Sequence, residues 1–586
     1  QERRLSGFAI RIRFMLPLVL GQLLFLVLLI SPLNSLYRAE LFQTGVQAAR
    51  QVTWDLGRLA GMGLPVNGIH TLDSWLMERQ KHIHALGMAV YDADGRFHAA
   101  ASPTGALDEA AWTAVRNDAV LARSDIRHPS DGAPVGAVFA AMDPHAALRN
   151  LFSVMLDNLT VTVIVTLFLG ELLYLLLMRG SLNIMASSPD FMRPIIFACL
   201  FATEMSMSYV PIRIGELGLE LFGLPPDVVS GLPISCELFM AGAAMFIGGF
   251  WSQRSGWRPM LFTGLLLCLA GAVLSWLSNG PLPFILSRGF CGLGYGFINL
   301  AAQVFVISHS NDSSRARNLA FMFAGLYAGT LCGSAMGGLI ADRLGYSAVF
   351  PATAALLILL PLLLWKLLPN ECWLGTRNSE RLSLRETAAF FRDRRMSALL
   401  LFFIVPNALI TVCLFQFFVP LSLSQSGTSP ATIGRVFLVY CVIVMFAGPY
   451  FGALIDKARN MVKPLFASQI IAALSVLALV FLDGVAGAML CVTLLAVNTA
   501  IASNGQGAYA LSLPAAERFG RSRTMGFYNV AMRLGQVFGP LSLGLLMTAW
   551  DAKTGLSILA AFTGVCALLF VLLSLVERHT GDVRHA

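Results

Sequence analysis

Four ionisable residues sit in stretches that are otherwise apolar. Glu204 lies in FATEMSMSYVP, Glu237 in PISCELFM, Arg288 in ILSRGFCG and Arg533 in NVAMRLGQVF. If these segments cross a bilayer, each charge costs at least about 2.5–3.5 kcal/mol and needs a reason to be there. Carboxylates at that depth are suited to taking up and releasing protons. Glu204 and Glu237 are therefore the candidates for proton coupling, with Arg288 and Arg533 as their partners or as anion sites. The competing explanation is a fixed ion pair that only holds helices in register. Tyr209, Asn407, Tyr440 and Asn529 add polar groups in similar surroundings. A cavity lined by such amides and aromatics would suit an amphipathic organic solute, although each alone could equally serve as an interhelical hydrogen bond.

Enzymatic chemistry is not expected. The sequence has no GxSxG elbow, no Walker GxxxxGK[ST] and no paired catalytic carboxylates. Its ten cysteines form no CxxC pair. Six of the nine histidines (His70, His82, His84, His98, His128, His145) fall in 36–150, but without ligand spacing, so neither a metal nor a cofactor is expected. Of 586 residues, 56% are hydrophobic and 13% charged, with mean hydropathy +0.70. Soluble domains carry about 25% charged residues, which excludes a soluble cytosolic protein. The net charge of +8 (41 basic, 33 acidic) is spread over short loops rather than one basic stripe, which excludes a nucleic-acid binder.

Apolar windows of about 20 residues predict fourteen membrane helices. Two, at 14–34 and 151–178, flank a polar stretch. Twelve follow near 192–212, 231–251, 259–278, 284–308, 318–341, 347–367, 397–420, 432–454, 464–482, 486–511, 525–548 and 555–576. Alternate loops hold the basic residues, among them Arg254 and Arg258, Arg315 and Arg317, six arginines in 371–396, Lys457 and Lys463, and Arg521 and Arg523. On the positive-inside rule both termini are cytoplasmic and 35–150 is extracytoplasmic. One missed or invented span would reverse every later loop. The chain starts at Gln1, so a preceding segment is expected, and 14–34, lacking a small-residue cleavage site, reads as a retained anchor.

The twelve later spans contain a repeat. RNLAFMFAGLYAGTLCGSAMGG at 317–338 aligns with RTMGFYNVAMRLGQVFGPLSLG at 523–544, matching Phe321 to Phe527, Gly329 to Gly535 and Gly333 to Gly539. GFWSQRSGWR at 249–258 aligns with GALIDKARNM at 452–461 at almost the same offset. Six spans have been duplicated in parallel, with the basic loop between the copies. This arrangement resembles the major facilitator superfamily. Gly249, Arg254, Gly256 and Arg258, with Gly452, Asp456 and Lys457 in the second copy, resemble the family's cytoplasmic gate motif; Gln253 replaces its usual acid. The resemblance implies a latch of charged contacts that closes that side in one state, and topology marking by basic residues is the plainer explanation. Arg288, Gly292, Gly294 and Gly296 resemble the fourth-helix motif. Gly325, Gly329, Gly333, Gly337 and Gly338 resemble the fifth-helix motif of antiporters, with Ser334 in place of its proline. Packing alone accounts for such glycines in most settings.

Residues 36–150 carry 10 basic and 12 acidic residues. The sequence predicts helices at 36–61 and 71–86, a hairpin at 88–101 turning at Asp94-Gly95, a strand at 135–142, and a helix running into the second span. A helix leaving the membrane, a small mixed sheet and a return helix resemble PAS-like or Cache-like sensor domains, and AVYDADGRF is similar to their hairpin. That resemblance implies a ligand for this domain.

The expected fold is an all-α membrane protein with fourteen spans, two plus a twelve-helix facilitator core in two halves, and a small α+β extracytoplasmic domain. Its divisions are an anchor at 1–34, the sensor-like domain at 35–150, an anchor and linker at 151–189, six-helix halves at 190–370 and 397–586, and the loop 371–396 between them. The expected function is secondary transport of a small organic or amphipathic solute across a bacterial inner membrane, coupled to protons, with export favoured by the fifth-helix resemblance. The solute, the lipid bilayer and protons are the expected partners. Alternatives are a receptor that binds a ligand without moving it, and a lipid flippase.

Overall fold

The computed structural model describes residues 39–582 apart from 65–68, 70, 81–84, 103–104, 144–154, 169, 172–188, 311–314, 369–389 and 459. The predicted first span, most of the basic loop, and His70, His82, His84 and His145 lie outside the described residues. The chain divides into two units, Gln1–Thr166 and Leu167–Ala586.

In the first unit, helix α1 (39–61) and helix α2 (Leu72–Gln80) precede five strands: β1 (Ala85–Asp92), β2 (Phe97–Ser102), β3 (Gly105–Leu107), β4 (Val120–Arg127) and β5 (Pro134–Met142). Helix α3 (Glu109–Asn117) lies between β3 and β4. The expected hairpin forms: Gly95 takes φ +76°, and the Asp92 carboxylate accepts hydrogen bonds from the Asp94 and Arg96 amides. The second helix stops at Gln80, and residues 85 and 86 begin β1 instead. The sheet is wholly antiparallel, in the order β3-β2-β1-β5-β4, not mixed. Alternation along the strands gives it two apolar faces. Val90, Val138 and Ile126 pack with Ala49, Val52 and Leu56 of α1, while Ala89, Ala100 and Ala141 lie with Trp112 of α3. The Trp112 indole N–H donates to the Tyr91 hydroxyl at 3.0 Å.

Of the second predicted span, an apolar helix α4 (Met155–Phe168) is described and parts on either side lie outside the described residues; among the described residues twelve helices are long and apolar enough to span, where fourteen spans were predicted. These are α5 (Met192–Leu217), α6 (Pro226–Ser252), α7 (Trp257–Leu277), α8 (Pro281–Ser308), α9 (Phe321–Leu344) and α10 (Tyr346–Trp365), then α11 (Arg394–Gln425), α12 (Pro430–Gly452), α13 (Val462–Phe481), α14 (Gly484–Ser512), α15 (Thr524–Ala549) and α16 (Ala552–Ser574). Within the second unit, Phe168 packs on Phe197 and Phe201, and Glu171 pairs with Arg193 at 2.9 Å.

The fifth-helix glycines explain how α9 meets α5. Gly325, Gly329, Gly333 and Gly337 lie on the main chain of Arg193, Phe197, Phe201 and Met205, both series advancing four residues at a time. In the second half Gly535 and Gly539 lie on Val405 and Leu409 in the same way. Without side chains between them, the backbones come into direct contact, which is how helices associate in lipid.

The first helix of each half is irregular. Helix α5 tightens to a 3-10 turn over Glu204–Tyr209, just before Pro211. Helix α11 widens to π-helix over Leu400–Ile404 and Cys413–Phe418, around Pro406 and before Pro420. A proline gives no N–H to the carbonyl four residues back. For Pro406 that carbonyl is Phe402, and the fully buried Gln469 of α13 donates to it at 2.8 Å. Gln469→Met leaves that carbonyl without its donor and is expected to cost about 1–2 kcal/mol, read as a lower melting temperature in detergent; an unchanged melt would show that the carbonyl finds another donor.

Candidate functional site

The irregular turns lie where the halves enclose a cavity of about 290 Å³. Its lining residues come equally from the two halves, fifteen from each. They belong to α5, α6, α8 and α9 on one side and α11, α12, α14 and α15 on the other; α7, α10, α13 and α16 supply none.

Glu204, Glu237, Arg288, Arg533, Asn407 and Tyr440 all line this cavity. Arg288 is buried and grips Glu237: Nη2 donates to Oε1 at 2.7 Å and Oε2 at 2.6 Å, and Nε donates to Oε2 at 3.0 Å. Its Nη1 donates to Ser206 Oγ in the tightened turn of α5 at 3.0 Å. The motif glycines make this reach possible, because Gly292 and Gly296 lie on the main chain of Glu237 and Ala241 and draw α8 onto α6. Glu204 sits at the start of the tight turn, and its carboxylate makes no hydrogen bond among the described residues. It also borders a smaller polar chamber shared with Glu237, Arg288, Thr203 and Thr353.

Across the cavity, Arg533 Nη1 donates to Gln536 Oε1 at 2.9 Å, while Nη2 lies 3.6 Å from Met245 Sδ. The guanidinium is 6.0 Å from the Tyr295 ring, and its Nε has no partner. Asn407 accepts a hydrogen bond from Asn498 at 2.9 Å, and Tyr440 donates to Thr499 at 2.9 Å while stacking on Phe415.

Two expected site residues lie elsewhere. Tyr209 is buried against Tyr346 because the tight turn rotates it away from the cavity. Asn529 is exposed, one turn from Arg533 and not among the lining residues. Tyr295, Thr330 and Thr411 line the cavity without having been singled out. Of these, Tyr295 was within reach of sequence reasoning, two turns along the same helix from Arg288.

Among the described residues the halves are in contact from one end as far as Arg533, which reaches Gly242 and Met245. At that first end Ser235 donates to the Val537 carbonyl at 2.8 Å, a Cβ on Gly231 would lie 3.0 Å from Pro540, and Gly338 and Gly544 close on Gly434 and Asp227. At the opposite end, where the gate motif sits, a Cβ added to Gly249, Gly448 or Gly526 would meet nothing within 4 Å. Arg254 and Lys457 are exposed there, while Arg258 is half-buried, donating to the Trp365 carbonyl of its own half at 3.2 Å and lying over the Trp365 ring. Gly256 turns α6 into α7 with φ +76°. Gly452 faces Asn504, and the Asp456 side chain lies outside the described residues.

The family model for the Major Facilitator Superfamily matches residues 194–521. A probable chloroplastic anion transporter 4 from rice (Oryza sativa subsp. japonica) is 30% identical over 166 residues, 28% of each chain. Multidrug resistance protein MdtG from Salmonella choleraesuis is 29% identical over 196 residues, 33% of this chain and 48% of that one. The chain thus spans less than half the length of these relatives. Among solved structures, a bacterial homologue of the human lysosomal transporter Spinster, inward-facing and occupied, superposes with a TM-score of 0.54 at 14% identity, covering 65% of this chain and 95% of that one. A second structure of that homologue, inward-facing and unoccupied, gives 0.53 at 16% identity. With more than half its length inside the family model and twelve spanning helices among the described residues around a shared cavity, the chain belongs to the major facilitator superfamily.

Proposed function

We propose that the protein is a secondary active transporter that carries a small organic solute across a bacterial inner membrane by alternating access, coupled to protons at Glu204. The observation that carries this reading is the cavity lined equally by two halves whose contacts, among the described residues, run from one end as far as Arg533, with open space beside Gly249, Gly448 and Gly526 at the other. Rocking the halves about that cavity would expose it to each side in turn. The positive-inside rule puts the gate-motif end, with Arg254, Arg258 and Lys457, in the cytoplasm. Glu237 is already bound to Arg288, so Glu204 is the carboxylate free to take a proton. The fifth-helix glycines favour export by proton exchange. The antiparallel sheet of the first unit, with helices on both faces, supports a Cache-like sensor that modulates transport from the extracytoplasmic side.

The test is uptake of radiolabelled organic solutes into proteoliposomes under an imposed pH gradient. A transported solute is expected to accumulate with the gradient, and Glu204→Gln is expected to reduce accumulation to that of protein-free liposomes. A solute that binds but never moves would sink transport and favour a receptor. Full gradient-driven uptake by Glu204→Gln would remove Glu204 from coupling.

A further inference from the structure

We infer that the solute is an organic anion and that Arg533 binds its charged group; the inference rests on the cavity being the solute site proposed above. Four formal charges line the cavity. Glu237 and Arg288 cancel each other through a bidentate pair. Glu204 is the proposed proton site, and once protonated it leaves Arg533 as the only net charge on the wall.

Arg533 has only neutral partners: Gln536, the Met245 sulfur and the Tyr295 ring. No carboxylate pairs with it among the described residues. A guanidinium presents five N–H donors in a planar fork that matches a carboxylate, sulfonate or phosphate. Here Nη1 has one oxygen acceptor, Nη2 approaches only a sulfur, and Nε has none. Such a charge in a membrane-spanning helix is costly without a counter-charge, so an anion arriving there gains the attraction and completes the fork. Tyr327, Phe415 and Tyr440 line the cavity as well, which suits an apolar or aromatic body behind the charged end.

The experiment is equilibrium dialysis of the full chain in detergent against matched bicyclic probes. Naphthalene-2-sulfonate and 2-naphthoate are the anions, 2-naphthylmethylammonium the cation and 2-naphthylmethanol the neutral analogue. Both anions are expected to bind at least about tenfold more tightly than the cation or the alcohol. Arg533→Gln is expected to weaken the anions about tenfold or more and to leave the alcohol within about twofold, with Arg533→Lys intermediate. The wild-type preference needs no variant to fold. A cation bound as tightly as the anions overturns the inference. So does a folded Arg533→Gln protein that keeps anion affinity within about twofold, or no anion binding up to about 10 mM. The same probes in proteoliposomes separate the two readings. Anion binding without flux removes transport and leaves the subsite, whereas preferential flux of the cation removes the subsite and leaves transport.

Discussion

Replacing Arg288 with methionine is expected to lower stability by about 3–5 kcal/mol, because it strands the Glu237 carboxylate with no counter-charge. Arg288 satisfies both oxygens of Glu237 and reaches the Ser206 hydroxyl, tying α8 to α6 and to the tightened turn of α5 at once. A methionine fills much of the same space and meets none of those groups. The diagnostic comparison is the double variant Arg288→Met/Glu237→Gln, which removes both charges. It is expected to recover part of the loss, with a coupling of about 0.5–3 kcal/mol between the sites. Melting curves in one detergent, with Glu237→Gln alone as the fourth protein, complete the cycle. A single variant as stable as the wild type would falsify the view that this pair holds three helices together.

Gly337→Val is expected to be the most damaging change in the glycine series. A Cβ at Gly337 would overlap the Met205 carbonyl oxygen, and backbone cannot move aside as a flexible side chain can. Met205 lies within the tight turn that begins at Glu204, so the clash falls on the element that presents the free carboxylate. The expected loss is about 3 kcal/mol or more, at the upper end for overpacking. Gly249→Val is the control: a Cβ added there would meet nothing within 4 Å, and only the smaller cost of a β-branched residue in a helix is expected. Equal melting temperatures for the two variants would refute the argument that α5 and α9 are joined backbone to backbone.

Much of the site was legible because of its cost. Glu204, Glu237, Arg288 and Arg533 stood out as charges in apolar helices, and all four line one cavity. Which acid pairs with Arg288 was not legible, since pairing depends on how closely α8 approaches α6, and that is set by Gly292 and Gly296 acting across the interface. Tyr209 and Asn529 were misplaced for a related reason: residue type shows that a polar group is present, whereas helix phase and a local 3-10 turn decide which way it faces. In the first unit the hairpin was readable from Asp94-Gly95, but β4 was missed because Arg123, Asp125 and Arg127 fill its outward positions. The repeat was plain in its loops and glycines, the positions where geometry constrains the residue most tightly.

The closed end has a consequence for how the molecule responds to its surroundings. Its described contacts include glycine against proline, glycine against glycine, glycine against main chain, a serine hydroxyl on a carbonyl, and a hydrogen bond between Tyr346 and Ser424. None of these uses a charged side chain, so added electrolyte has little to screen there. The basic rim opposite, with Arg254 and Lys457 in solvent, is the part whose closure ionic strength should tune. If the proposed alternating access holds, salt becomes a one-sided lever, shifting how often the molecule faces each way while leaving the uncharged seam intact.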